Sequence, residues 1–183
     1  MHERTEGRLS VVVMGVSASG KTTVGTLLAR TLAVPFIEGD ALHSPGNVAK
    51  MRRGEPLDDA DRAPWLAAIA ATLADRSRYP RGLVVSCSAL KAAYRDELRK
   101  AAPGVKFVFL DASPPLVEAR LAARPPHFMP ESLAGSQFAT LERPGPAETD
   151  VATFDAAQPV EELVAAAAAA VRELGKLSPA ATL

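Results

Sequence analysis

A largely apolar run, Leu9–Met14, passes directly into Gly15-Val16-Ser17-Ala18-Ser19-Gly20-Lys21-Thr22, and then into Val24, Leu27, Leu28 and Leu32. No other stretch limits the fold as strongly. Its middle has the G-x-x-x-x-G-K-[ST] spacing of a phosphate-binding loop, placed after a strand and before a helix. Val11, Val12 and Val13 are β-branched and read as a fully buried parallel strand. The residues after the loop recur at helical spacing and form one apolar stripe. Glycines let the backbone curl so that successive N–H groups face a phosphate. Lys21 adds a mobile positive charge, and Thr22 supplies a hydroxyl suited to Mg²⁺. Such a chain is expected to bind a nucleotide through Gly15–Thr22. The loop alone leaves open what the nucleotide is used for.

The rest of the chain continues the rhythm that the loop begins. Strands are expected at Pro35–Glu38, Leu83–Ser86, Val105–Leu110 and Val151–Phe154, and helices at Ala89–Ala101, Pro115–Arg124 and Val160–Leu174. Alternation of this kind argues for an α/β fold, a parallel sheet with helices on both faces. At 183 residues the chain fits one domain with a real core, with loose tails at about 1–8 and 175–183.

Two segments break the rhythm. The first, 41–79, is too long for an ordinary loop and carries its own helix near Pro64–Leu73, with Pro64 suited to that helix's first turn. The second, 125–146, is rich in Pro and Gly. Insertions at the carboxyl edge of a parallel sheet bind substrates and form lids, so one is expected to hold an acceptor and the other to close over the nucleotide.

Composition excludes several classes of partner. Lys plus Arg and Asp plus Glu both number 21, so no net field recruits nucleic acid. The single cysteine, Cys87, rules out an internal disulfide framework and fits a reducing compartment. The polar opening residues lack the apolar centre of a secretory signal. The longest apolar run, Leu163–Val171, is far short of the ~20 residues a membrane span needs. A cytoplasmic protein with no membrane partner is the expectation.

Among phosphate-loop chemistries, hydrolysing motors usually close a later strand with an acid. Here Leu83-Val84-Val85-Ser86 runs into Cys87-Ser88-Ala89-Leu90-Lys91, with no carboxylate. The acid in the best position is Asp40, just past the second strand, where it could take a proton from an attacking hydroxyl or hold Mg²⁺ through water. Alternatively it is a turn or capping residue. Beyond it, 40–62 mixes hydrogen-bonding and basic groups, as a polyhydroxylated anionic acceptor requires. Arg120 and Arg124 stand four apart on one helical face, able to clamp phosphoryl oxygens, stack on adenine, or offset a helix C-terminus.

The order Gly39-Asp40-x-Leu42-His43-x-x-x-Asn47-x-x-Lys50-Met51, then Gly54-Glu55-Pro56-Leu57-x-Asp59-x-Asp61-Arg62-x-Pro64-Trp65-Leu66, resembles the gluconate kinase family. So do Cys87-Ser88-Ala89-Leu90-Lys91-x-x-Tyr94-Arg95-Asp96, His127-Phe128, Gln137-Phe138 and Thr140-Leu141-Glu142. The resemblance runs from about Leu9 to about Val171. It implies a three-layer α/β/α phosphate-loop kinase, similar to the shikimate and adenylate kinases, with a five-stranded parallel sheet, an acceptor-binding insertion and a lid. It further implies transfer of a phosphoryl group from Mg-ATP to the 6-hydroxyl of D-gluconate, and related enzymes are often homodimers.

On that resemblance Gly15, Val16, Ser17, Ala18, Ser19, Gly20, Lys21 and Thr22 bind the ATP phosphates, with Lys21 on the β- and γ-phosphates and Thr22 on Mg²⁺. Asp40 orients or deprotonates the acceptor hydroxyl. His43, Arg52, Arg62 and Lys91 line the gluconate pocket, with an arginine or Lys91 on its carboxylate. Asp155–Pro159 forms an adenine-side loop. One departure stands out: Pro125-Pro126 replaces the basic-glycine pair expected before His127, which stiffens the lid entrance and favours Arg124 as the phosphate clamp. The rival readings are another small-molecule kinase on this scaffold, such as a shikimate kinase, and a non-catalytic nucleotide-binding module. Against the first, Cys87-Ser88-Ala89 stands where a glycine triplet is expected.

Overall fold

The period-two pattern of the central strand sets up both faces of the fold. In β1 (Leu9–Met14), Val11 and Val13 enter one hydrophobic cluster while Val12 and Met14 enter another on the opposite side. The computed structural model of the chain describes residues 8–123 and 132–177. Within them β2 (Phe36–Ile37), β3 (Gly82–Ser86), β4 (Lys106–Asp111) and β5 (Val151–Asp155) complete a five-stranded sheet in the order β2-β3-β1-β4-β5. Every pairing is parallel, with Val12 opposite Val85 on one side and Phe107 on the other. Both faces are buried, which accounts for the nearly unbroken apolar runs of β1, β3 and β4.

Helices α1 (Lys21–Leu32) and α7 (Val160–Leu177) cover the Val11 and Val13 face, through Val24 and Leu28 from the first and Leu163, Ala167 and Val171 from the second. Val117 and Leu121 of α5 (Pro114–Ala122) join the same cluster. The other face is covered by α3 (Asp59–Ala74) and α4 (Ala92–Ala101), which supply Trp65, Leu66, Ile69, Leu73, Tyr94 and Leu98. The result is the three-layer α/β/α architecture. No helix among the described residues is long and apolar enough to cross a membrane.

The segment 41–79 divides in two. Helix α3 lies under the sheet and is the crossover from β2 to β3, whereas a 3-10 turn at Gly39–Leu42, α2 (Pro45–Arg52) and residues 53–58 stand beyond the strand ends. Helix α3 also begins five residues earlier than Pro64 suggested. Asp58 caps it by accepting from the Asp61 N–H at 2.8 Å, and the Asp61 carboxylate returns a bond to the Asp58 N–H at 2.9 Å. This capping box outweighs the proline, which sits exposed inside the helix and frees only a water-facing carbonyl. In the second interruption α6 (Ser132–Thr140) is helical. Arg124 and the stretch 125–131 lie outside the described residues, as do most of the expected tails.

Candidate active site

The phosphate loop leaves β1 at the centre of the sheet and ends at Gly20, whose φ of 103° is left-handed and closed to most side chains. Gly20 caps α1 without a side-chain bond, so the first amides of that helix face the cavity with no capping oxygen in the way. Arg120 holds the loop from behind: its guanidinium donates to the carbonyls of Ala18 (3.2 Å) and Ser19 (2.9 Å), and also to Ala156 (2.7 Å) in the turn after β5. Arg120 thus fixes the backbone at Ala18 and Ser19, while the Gly15, Ser17 and Ser19 N–H groups donate to Ser88, Gln137 and Val16. Lys21 Nζ donates to the Val16 carbonyl at 2.8 Å. Ser17 N–H donates to Gln137 Oε1 of α6 at 2.6 Å.

The acceptor side is built on the end of β2. Gly39 packs so closely on β3 that a Cβ there would stand 1.9 Å from the Ser86 carbonyl oxygen. Its N–H donates to Ser86 Oγ (3.0 Å), and its carbonyl accepts from Trp65 Nε1 (2.8 Å). Pinned on both sides, Gly39 presents Asp40 to the cavity. The Trp65 ring in turn stacks on His43, with centroids 4.3 Å apart and planes 11° from parallel. Burial against that ring pushes the His43 imidazole below its ordinary pKa, while Asp40 pulls it up and Arg62 lowers it further. The imidazole is therefore neutral at pH 7.

One cavity of about 430 Å³ joins the two halves. It is lined by the loop from Ser17 to Thr23 at one end, and by Asp40, His43 and Arg62 at the other. Arg120 and two residues after β5, Ala156 and Gln158, also line the cavity. The structure thus brings together Lys21, Thr22, Asp40, His43, Arg62 and Arg120. Four expected residues stay outside the lining: Gly15 and Val16, which open the loop, and Arg52 and Lys91. Arg52 ends α2 exposed and outside the lining. Lys91 is also outside it, and donates to both oxygens of Asp59 at 2.8 Å.

Besides the lining residue Gln137, two residues outside the lining, Glu38 and Ser86, bond to Thr22 and Gly39, and none of the three is legible as a site residue in the sequence. Glu38 accepts from Thr22 Oγ1 at 2.6 Å and from Ser86 Oγ, so a carboxylate stands beside the loop hydroxyl after all. It directly follows β2, two residues before Asp40, and the rule that singled out the one would have found the other. Ser86, at the end of β3, orients both Glu38 and Gly39. Gln137 was visible only as part of a motif, because its contact with Ser17 spans 120 residues. Cys87, by contrast, is buried, and desolvation raises its thiol pKa to about 12, so it is no nucleophile.

Comparison with known proteins gives matches over most of the chain. A family model described as an AAA domain matches residues 11–144. The chain is 49% identical over 157 residues to a gluconokinase of Gluconobacter oxydans, covering 84% of this chain and 88% of that protein. It is 44% identical over 154 residues to the thermoresistant gluconokinase of Escherichia coli, with the same two shares, 84% and 88%. The crystal structure of a gluconokinase from Sinorhizobium meliloti superposes with a TM-score of 0.83 at 50% identity, covering 93% of this chain and 96% of that one.

Proposed function

Because this chain belongs to the gluconokinase family, we propose that it transfers the γ-phosphoryl group of ATP to the 6-hydroxyl of D-gluconate, giving 6-phospho-D-gluconate and ADP. The observation that carries this reading is the single cavity with the phosphate loop at one end and Asp40, His43 and Arg62 at the other. Phosphoryl transfer to an alcohol needs little covalent help, only alignment of the two oxygens and neutralisation of the spreading charge. This cavity offers both.

On the donor side the uncapped N–H groups at the start of α1 and Lys21 take the phosphate oxygens, while Arg120 keeps the loop in shape. On the acceptor side Asp40 aligns the 6-hydroxyl and accepts its proton as the O–P bond forms. His43 stays neutral and offers a hydrogen bond to a sugar hydroxyl. Arg62 is the residue we assign to the gluconate carboxylate. It lines the cavity, holds only the Tyr94 hydroxyl at 3.4 Å, and has no carboxylate partner among the described residues. Lys91 is already neutralised by Asp59.

Magnesium fits the same place. Mg²⁺ prefers hard oxygen donors, keeps several waters, and relies on substrate phosphates for the rest of its shell. Among the described residues no group of three or more His, Cys, Asp or Glu is set to hold a metal. The Thr22 hydroxyl and the Glu38 carboxylate, 2.6 Å apart, form the oxygen pair that would hold it, Thr22 directly and Glu38 through water. Bound there, the ion would neutralise charge on the β- and γ-phosphates. A cytoplasmic location and a homodimer are parts of this reading that rest on the family alone.

The deciding experiment is ADP release with ATP, Mg²⁺ and one acceptor at a time: gluconate, shikimate, or a nucleoside monophosphate. Turnover is expected with gluconate only. Turnover confined to another acceptor, or tight ATP binding with no turnover at all, overturns the reading.

A further inference from the structure

Asn47, in the first turn of α2, uses its side-chain nitrogen twice. Nδ2 donates to the Asp61 carbonyl at 2.8 Å and stands 3.4 Å from His43 Nδ1. A carbonyl can only accept, so the NH₂ group of the carboxamide, and not its oxygen, must face Asp61. The second hydrogen of that NH₂ group is then the one turned to the imidazole. A ring nitrogen that receives a hydrogen must offer a lone pair, so Nδ1 is bare. The neutral imidazole carries one proton, which therefore sits on Nε2.

Each partner in this contact is held by other bonds. Asn47 is buried, and its backbone N–H donates to Ser44 Oγ at 3.1 Å, which caps α2. Asp61 is locked into the capping box of α3. The imidazole lies flat on Trp65, whose Nε1 donates to the Gly39 carbonyl. With Asn47 at Nδ1, Nε2 is the polar ring atom left to the cavity that His43 lines, and among the described residues nothing bonds to it. The charged groups facing the ring are Asp40 on the 3-10 turn and Arg62 on α3, which act on it in opposite directions.

Resting on the kinase reading above, we propose that Asn47 is a positioning residue that holds His43 as its Nε2–H tautomer, so that the ring gives a hydrogen bond to the acceptor and cannot take its proton. One ring nitrogen is occupied by Asn47 and the other by its own hydrogen. No lone pair of the ring is left for a hydroxyl proton, and that proton goes to Asp40. The same arrangement selects among acceptors. The atom that meets His43 must offer a lone pair, as a hydroxyl or carboxylate oxygen does, and a protonated amine in that place is turned away.

The test is nitrogen NMR of the imidazole rings in the ligand-free protein, on wild type, Asn47→Leu and Asn47→Asp, with the His43 signals identified by their loss in His43→Gln. Wild type is expected to show a protonated Nε2 and a bare Nδ1, with no averaging between tautomers. Asn47→Leu keeps the size and removes the donor, so its nitrogen shifts should average over both tautomers. In Asn47→Asp a carboxylate faces Nδ1, which draws the proton there and raises the His43 titration midpoint by about one pH unit or more. Kinetics add a readout that lost packing would not move. An imidazolium beside Asp40 pairs with its carboxylate and takes it from the acceptor hydroxyl. The acid-side fall of kcat with gluconate should therefore move up in Asn47→Asp together with the NMR midpoint, whereas a packing defect lowers kcat alike at every pH. An averaged or Nδ1-protonated ring in wild type overturns the proposal, as does a wild-type spectrum from either variant. Should the variants fail to fold, the wild-type spectrum decides alone. The spectra need neither ATP nor gluconate, so their outcome is separate from that of the acceptor assay.

Discussion

Asp40 and Gly39 are neighbours in sequence with opposite demands, one for chemistry and one for space. Asp40 is useful as a base only if its carboxylate meets the acceptor hydroxyl, so Asp40→Asn keeps the shape and removes the basicity. We expect kcat to fall by about 10²–10⁴-fold with the ATP dissociation constant nearly unchanged. Should rapid-mixing and binding data show the reverse, a weaker ATP complex with normal turnover, Asp40 holds metal instead of taking a proton. Gly39 acts through its absent side chain. In Gly39→Ala the new methyl would meet the Ser86 carbonyl oxygen at 1.9 Å, and that oxygen belongs to the backbone at the end of β3. Overpacking of this kind costs about 1–3 kcal/mol, or roughly 2–4 °C of melting temperature per kcal/mol in a protein this size. Both the melting temperature and kcat are expected to fall, since the strand end that must move carries Asp40. A fully active, fully stable Gly39→Ala enzyme would show that the close approach does not position the acid.

At the scale of elements, the strongest electrostatic joint lies away from the cavity. Arg95 on α4 is 1% exposed and donates to both oxygens of Glu148 (2.7 and 2.6 Å) and to the carbonyls of Ala89 and Glu142 (both 3.1 Å). Arg99, one turn on, adds bonds to Glu148 (2.7 Å) and Asp150 (2.8 Å). This joint ties the stretch after α6 to α4 and so fixes where α6 can sit. The hydrogen bonds from Arg95 and then Arg99, opposed by partial burial, pull the Glu148 carboxyl from its ordinary 4.5 down to about 2. Since the folded value lies below the unfolded one, the unfolded chain binds the extra proton between them. The contribution is complete above pH 4.5 and is lost as the pH falls toward 2. It amounts to about 3 kcal/mol at neutral pH by linkage. Thermal melts from pH 7 to pH 3 should therefore show a steeper acid loss in wild type than in Glu148→Gln, which starts lower and falls less. Parallel curves would mean the pair adds no native-state stability. Arg95→Met should cost more, on the order of 3–5 kcal/mol, because it leaves buried carbonyls and a carboxylate without their donor. In the sequence Arg95 stands out only as part of a motif, since only the fold brings Glu142 and Glu148 against it.

Over the whole molecule, the parts legible in sequence were those whose signals are local. β1, the loop and α1 announce themselves within 24 residues, and the order of strands and helices follows from apolar runs and turn residues. What needed coordinates were partners distant along the chain: Glu38 with Thr22 and Ser86, Lys91 with Asp59, and Gln137 with Ser17. Helix boundaries erred where a cap competed with a proline, as at Asp58 and Pro64.

The same long-range logic explains how the cavity is assembled. Two large hydrophobic clusters lie on the two faces of the sheet, but a third, made of Met51, Leu57 and Leu133, stands apart from both. All three of its residues line the cavity, and they join the acceptor side to α6. Because this cluster shares no buried residue with the sheet cores, loosening it should unseat α6 without unfolding the domain. Leu133→Ala is the direct probe. Amide exchange in α6 and α2 is expected to quicken, while β1 and β4 keep wild-type protection. Kinetically, KM should rise several-fold for both ATP and gluconate, because each contacts one side of a joint that no longer holds. Should β1 and β4 lose protection in step with α6, the three side chains are part of the global core. If only the gluconate KM moves, the cluster serves the acceptor pocket alone and does not couple it to the phosphate loop.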